Sequence, residues 1–188
     1  MQFIEGSFYH IYNRGNNKQP IFFEERNYDF FLQKVQKYIG LNSDIVAWCL
    51  MPNHFHFLIR ANESSTKIVK EAPLKINALT EGIRMLLSSY TKAIQKQESL
   101  TGSLFQQKTK SKCVDDYLQN AFHYIHQNPF RAKLIDRLEE WKWSSLPEYL
   151  GRSQKQEICN YRMIYEYTGL DMNTLLRDSY SVISDEFM

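Results

Sequence analysis

The sequence is short of cysteine. It has three, Cys49, Cys113 and Cys159, far apart and without a CxxC pair. That argues against a disulfide framework and a structural zinc knuckle, and it fits a reducing cytosol. Long apolar runs are lacking too. Nothing approaches the ~18 consecutive apolar residues of a transmembrane helix. The opening "MQFIEGSFYHIYNRG" has no basic stretch followed by an apolar one, so no secretory leader and no membrane partner are expected, and the expected location is cytoplasmic. Net charge is scarce: 23 Lys and Arg against 21 Asp and Glu leave +2. Any basic surface for nucleic acid must therefore be local. Internal repeats and low-complexity tracts are absent. What is abundant is apolar and aromatic, with a hydrophobic fraction of 43% and 12 Tyr, 12 Phe and 3 Trp among 188 residues. That composition describes a folded chain long enough for one domain with a sizeable core and an appendage.

The pattern of elements argues for an α+β domain. "GSFYHIYNRG", residues 6 to 15, alternates and is stopped by glycine, as a strand would be. In "EERNYDFFLQKVQKYIGLN" the apolar residues Tyr28, Phe31, Leu32, Val35, Tyr38 and Ile39 recur at helical spacing, and Gly40 ends the run. "DIVAWCLM" and "HFHFLIR" read as two strands joined at Pro52-Asn53, a hairpin over residues 44 to 60. Residues 64 to 98 read as helical with an interruption near Pro73, their apolar face marked by Ile76, Leu79, Ile83, Leu86, Leu87 and Tyr90. "GSLFQQKTKSKCV", residues 102 to 114, reads as a bent strand. "DDYLQNAFHYIHQN" reads as a helix with acidic residues in its first turn, and Pro129 limits its continuation. The order β-α-β-β-α-β-α predicts a largely antiparallel sheet with helices packed on it. Trp141 and Trp143 are expected in the core. Residues 152 to 188 form a C-terminal extension of unassigned role after a domain spanning residues 1 to 151.

"MPNHFHFLIR" is the stretch that points to chemistry. On a strand, His54 and His56 share one face while Phe55, Phe57 and Ile59 face the core. Two imidazoles on a stiff strand can share a divalent metal with a third ligand from elsewhere. The plain alternative is a pair of exposed or hydrogen-bonded histidines. In "NAFHYIHQNPF", Tyr124 and Asn128 stand at i, i+4 on one helix face. Tyrosine is a nucleophile for phosphoryl transfer, and asparagine supplies a neutral oxygen ligand. Between these stretches, Lys108, Lys110 and Lys112 alternate. If they lie on a strand they share a face, and polyanion binding would relieve their mutual repulsion. An edge strand blunted by lysine explains them equally well. Arg14 and Arg131, with Lys133, are the next cations available to a DNA track.

Taken together, "NRGNNKQPIFF", "MPNHFHFLI", "GSLFQQKTKSKCVDDYL", "YIHQNPFRAKLI" and "WSSLPEYLG" resemble the single-tyrosine HUH transposases of the IS200 type, most closely the REP-associated tyrosine transposases. The resemblance covers roughly residues 6 to 151 in family order. It implies a ferredoxin-like fold with the paired histidines on a central strand. It also implies a Mg²⁺- or Mn²⁺-dependent nuclease and strand transferase acting on single-stranded DNA beside a hairpin, working as a monomer or homodimer. Residue by residue, it makes His54 and His56 metal ligands and Tyr124 the nucleophile. The third ligand, four residues after the tyrosine and often Gln in the family, falls on Asn128, with Gln127 as the competing amide. Two other readings stand beside it. A barrel-shaped metallohydrolase would need ~250 residues in strand-helix repeats. A non-catalytic hairpin-binding or regulatory protein derived from a transposase would keep the DNA contacts without the cleavage.

Overall fold

The computed structural model describes residues 1–153 and 157–181. Four antiparallel strands form the central sheet: β1 (Phe8–Arg14), β2 (Asp44–Met51), β3 (His54–Arg60) and, named in chain order below, β6 (Lys110–Cys113). Helix α1 (Glu25–Val35) links β1 to β2, and a π turn over Gln36–Gly40 extends it. Past β3 come a short helix, α2 (Glu63–Thr66), and a two-stranded ribbon of β4 (Ile68–Lys70) and β5 (Ile76–Asn77). The long helix α3 (Ala78–Glu98) then leads to β6, and α4 (Leu118–Arg131) follows it. Three short helices close the described chain: α5 (Leu146–Tyr149), α6 (Arg162–Thr168) and α7 (Leu175–Ser179). The strand order in the sheet is β2-β3-β1-β6, so β3 and β1 are inner strands and β6 is an edge.

The sheet is buried on both faces, because its strands alternate between two apolar sets. Tyr9, Ile11, Trp48, Leu50, Phe55, Phe57 and Ile59 meet Phe31 and Val35 of α1 and Ile83, Leu86 and Tyr90 of α3. Phe8, Cys49, Met51 and Leu58 belong to the opposite set, with Leu118, Ala121, Phe122 and Ile125 of α4, Tyr149 of α5, Ile164 of α6 and Leu175 of α7. Alternation thus serves two cores here. Val46 is the extra residue of a bulge between Ile45 and Ala47 and is fully buried. On the first face α3 approaches the end of α1 closely at Gly82, where an added Cβ would lie 2.2 Å from the Tyr38 carbonyl oxygen. Glycine is what permits that contact.

Two expectations change. The interruption near Pro73 is a whole ribbon, and Ile76 sits in β5, one residue before the Asn77 cap of α3. Its strands carry the β-branched Ile68, Val69 and Ile76, which favour an extended chain. The bent strand is shorter than residues 102 to 114: only Lys110–Cys113 is strand, with a single bridge from Phe105 to Gly15 ahead of it. The last helices also pack on α4: Ile164, Leu170 and Leu175 are buried in the second core. Residues 154–156 and 182–188 of the extension lie outside the described residues. Trp143 is in the first core, stacked on Tyr28 at 4.4 Å, and Trp141 donates its indole N–H to the Leu50 carbonyl.

Candidate active site

The site lies where the second face of the sheet runs out from under α4. Directly opposed pairs across an antiparallel ladder share a face. The register pairs Tyr12 with His56 and Arg14 with His54, so all four side chains emerge together. On the other side of β1, Tyr12 is opposite Lys110 and His10 is opposite Lys112. From above, α4 contributes two residues. Across 121–129 every residue is buried except Tyr124 and Asn128, one turn apart. Both line an open cavity of about 230 Å³ together with Tyr12, Arg14, His54, His56, Lys108 and Lys110.

Pro129 shapes the helix edge. Proline has no N–H, so it cannot serve the Ile125 carbonyl, four residues back, as a helical donor would. The Asn128 amide turns back along the helix instead, donating Nδ2–H to the Tyr124 carbonyl at 2.9 Å and to that of Ile125 at 3.4 Å. The amide's donor end is thereby occupied, and its oxygen is the end that remains to accept. Gln127 points elsewhere. It is 5% exposed and donates to the Ser179 carbonyl at 2.9 Å and to that of Ser181. The geometry groups Asn128, not Gln127, with the histidines.

The two imidazoles are held differently. His54 is half-buried and its Nδ1 lies 2.6 Å from Oδ1 of Asn53, whose Nδ2 donates to the Lys18 carbonyl. His56 is 5% exposed, its Nδ1 lies 2.8 Å from Nε2 of His10, and its own Nε2 is buried without a partner. Their rings meet edge to face with centroids 5.0 Å apart. Burial, reinforced by Arg14, pushes His54 down to about 4; burial, reinforced by His10, His54 and Arg14, pushes His56 well below the usual range. Burial first and Lys112 second take His10 down to about 4. All three rings are thus neutral at pH 7, and a neutral imidazole has a lone pair to give.

Tyr124 lies against this pair. Its ring meets His56 edge to face at 6.0 Å and His10 at 6.1 Å, and the Arg131 guanidinium sits 5.7 Å from its centre. Lys110 is 5.7 Å from the centre of the Tyr12 ring. Lys112 lies past the cavity, 5.3 Å from the Tyr117 ring. Arg14 has a buried Nε with no partner. Among the described residues, no three His, Cys, Asp or Glu side chains are grouped to hold a metal. The side chains at this cavity that could hold a cation are His54, His56 and the Asn128 amide. That set suits one: two neutral imidazoles, one with an orphaned buried nitrogen, and the amide of Asn128, a residue that lines the same cavity.

The sequence reading missed His10 and Tyr12. Both stand in "YHIYN" at the alternation that carries Arg14, a signal visible once that strand is paired with "HFH". The remaining two histidines of the chain, His123 and His126, are buried on α4 and hydrogen-bond to Ser179 and Ser145.

No protein-family model matches the sequence, and no curated protein matches it. A solved structure is similar: a REP-associated tyrosine transposase bound to a REP hairpin, with a TM-score of 0.62 over 85% of this chain and 92% of that one, at 15% sequence identity. The likeness is one of fold. No helix among the described residues is long and apolar enough to cross a membrane.

Proposed function

We propose that this protein is a transposase-like, metal-dependent endonuclease and strand transferase that cleaves single-stranded DNA beside a hairpin, with Tyr124 as nucleophile. The observation that carries the reading is the convergence of His54, His56, Tyr124 and Asn128, from two separated stretches of chain, on one cavity fringed by Arg14, Lys108 and Lys110. The β-α-β-β-α-β order with a β2-β3-β1-β6 sheet is read as the ferredoxin-like arrangement of HUH enzymes. The fold shared with a hairpin-bound transposase supports the choice of substrate.

Held by His54, His56 and Asn128, Mg²⁺ or Mn²⁺ would polarise the scissile phosphoryl group and offset charge on the departing oxygen. The chain's own groups do the rest. Neither imidazole nor amide brings negative charge, so the cavity stays attractive to a phosphodiester. Arg14 would bind a non-bridging oxygen, and Lys108 and Lys110 would hold flanking phosphates. Tyr124 Oη forms a bond to phosphorus as the bond from phosphorus to the 3′ oxygen breaks. The phenol loses its proton to solvent and the 3′ oxygen gains one. The products are a 5′-phosphotyrosine and a free 3′-OH. One ester replaces another, so a second 3′-OH can reverse the step and rejoin DNA without a nucleotide cofactor.

The test is incubation with a labelled single-stranded oligonucleotide carrying a hairpin, with Mn²⁺ or Mg²⁺. The reading expects a covalent protein–DNA species that resists denaturation and is lost in Tyr124→Phe. Tight hairpin binding with no such species would instead identify a non-catalytic hairpin-binding protein.

A further inference from the structure

We propose that His10 is a positioning residue for His56: it accepts the Nδ1–H of His56 and so fixes the opposite nitrogen, Nε2, as the unprotonated atom turned to the cavity. The proposal rests on the reading of His56 as a metal-binding side chain, and part of its test is independent of that reading.

An imidazole exists as two neutral tautomers, and the hydrogen bond made by one nitrogen decides what the other can do. For His54 the surrounding network decides. Nδ2 of Asn53 donates to the Lys18 carbonyl at 3.1 Å, so Oδ1 is the amide atom that faces His54 Nδ1, at 2.6 Å. An amide oxygen can only accept. His54 therefore carries its proton on Nδ1, and its Nε2 is a free lone pair. His10 holds the same position relative to His56 that Asn53 holds relative to His54. Its Nε2 lies 2.8 Å from His56 Nδ1. The two rings lie nearly coplanar, centroids 5.1 Å apart and planes 21° apart, as a hydrogen bond between ring nitrogens requires, and the Tyr12 ring lies against both, 4.7 Å from His10 and 5.8 Å from His56. His10 is 2% exposed, so water cannot take its place. The reverse assignment would leave a buried N–H of His56 without an acceptor, in a cavity already lined by donors from Arg14, Lys108 and Lys110. With the proton on Nδ1, both histidines keep a lone pair on Nε2, and His10 must hold its own proton on Nδ1.

The side chain that can replace His10 follows from geometry. The terminal amide of glutamine reaches the place of a histidine Nε2, whereas that of asparagine reaches only the place of Nδ1. Phenylalanine fills the place of the His10 ring beside Tyr12 and His56 but accepts nothing.

The experiment uses the full chain labelled with ¹⁵N-histidine, as wild type, His10→Phe, His10→Gln and His10→Asn, with thermal melts to verify folding. In the metal-free protein, ring ¹⁵N spectra should give an unprotonated Nε2 for His56 in wild type and His10→Gln, with proton density moved to Nε2 in His10→Phe. Titration with Mn²⁺, followed by calorimetry, should show affinity about 10- to 100-fold weaker in His10→Phe, the range seen when an outer partner of a ligand is removed, and largely restored in His10→Gln. If the phenylalanine variant does not fold, His10→Asn takes its place as the variant that lacks the acceptor. A proton on Nε2 of wild-type His56, or spectra unchanged in the variants that lack the acceptor, overturns the proposal. A wild type that binds no Mn²⁺ overturns the metal reading, while the ring nitrogens still decide the role of His10.

Discussion

The ring of Tyr124 on α4 stands edge-on to the ring of His56 on β3, centroids 6.0 Å apart and planes 86° apart. Replacing Tyr124 with Phe keeps the ring and removes only the attacking oxygen. The variant should melt as the wild type does and bind hairpin DNA equally well, while covalent adduct falls by more than about a thousandfold. Denaturing gels of labelled DNA check it. Residual adduct at the wild-type rate would move the role to Tyr12, which lines the same cavity. Tyr117, seven residues before Tyr124, donates its hydroxyl to the Cys113 carbonyl instead.

The histidines should respond unequally. Removing His54, half-buried and bonded to a surface amide, should abolish cleavage at little cost in stability. His56→Ala should abolish cleavage too, but it leaves His10 Nε2 without its partner in a buried place, a loss of about 1–3 kcal/mol. Excess EDTA should silence the wild type without unfolding it. Urea melts paired with cleavage assays separate these outcomes, and cleavage that survives EDTA would remove the metal from the reading.

Asn128 and Gln127 offer a clean contrast, because neighbouring amides on one helix serve different surfaces. Asn128→Ala should weaken Mn²⁺ binding by at least about tenfold, 1.4 kcal/mol at 25 °C, with the fold intact. Gln127→Ala should leave Mn²⁺ binding unchanged and cost about 1–3 kcal/mol through the unmet carbonyls of Ser179 and Ser181. Equal metal affinity in Asn128→Ala and wild type would exclude that amide as a ligand.

Acid should loosen the second core at His123. Burial pushes this residue down to about 4, with Asp178 pulling weakly the other way. Its Nδ1 meets the Ser179 hydroxyl at 2.9 Å, its Nε2 is buried without a partner, and His126 and Phe122 face it from its own helix. Below its ordinary value of 6.5 the unfolded chain takes up a proton that the fold refuses. The stability contribution is therefore complete above that pH and is lost as pH falls from there toward 4, at up to about 1.4 kcal/mol per pH unit. His123→Asn keeps an amide near the Ser179 hydroxyl without a titrating ring. Urea midpoints across this range should fall less steeply in the variant than in wild type. Parallel curves would place the acid sensitivity elsewhere among the buried histidines.

Much of this was legible from alternation and helical spacing. "HFHFLIR" fixes which side of β3 carries His54 and His56, and "YIHQN" places Tyr124 and Asn128 one turn apart, because both periods are local properties of the backbone. What was not legible depends on pairing across the chain. Nothing in "FYHIYNR" by itself says that Tyr12 will stand opposite His56 or that His10 will reach its Nδ1. The ribbon at Ile68–Lys70 and Ile76–Asn77 was hidden by apolar residues that also match a helical stripe. The closing helices gave weak periodicity because they are short, and their burial comes from fitting α4 and not from their own pattern.

The lysines of "KTKSK" decide between a DNA track and a guarded edge, and the structure gives each reading its own residues. Lys108 and Lys110 line the cavity, whereas Lys112 lies past it on β6, the sheet's edge strand. Each lysine that neutralises a single-strand phosphate should add about 0.7 to the slope of log affinity against log salt. Changing Lys108 and Lys110 to Gln should flatten that slope by about 1.4, and adding Lys112→Gln should bring the total to at most about 2. Sequence preference should hold, because phosphate contacts position a strand without reading its bases. If the lysines serve only to keep β6 from pairing with another edge, Lys110→Gln and Lys112→Gln should raise light scattering while the salt slope stays fixed. Hairpin affinity measured at several salt concentrations, beside scattering on the same variants, separates the two. An unchanged slope would move the track to Arg14, which lines the cavity from β1, and to Arg131 at the end of α4, whose guanidinium sits 5.7 Å from the centre of the Tyr124 ring.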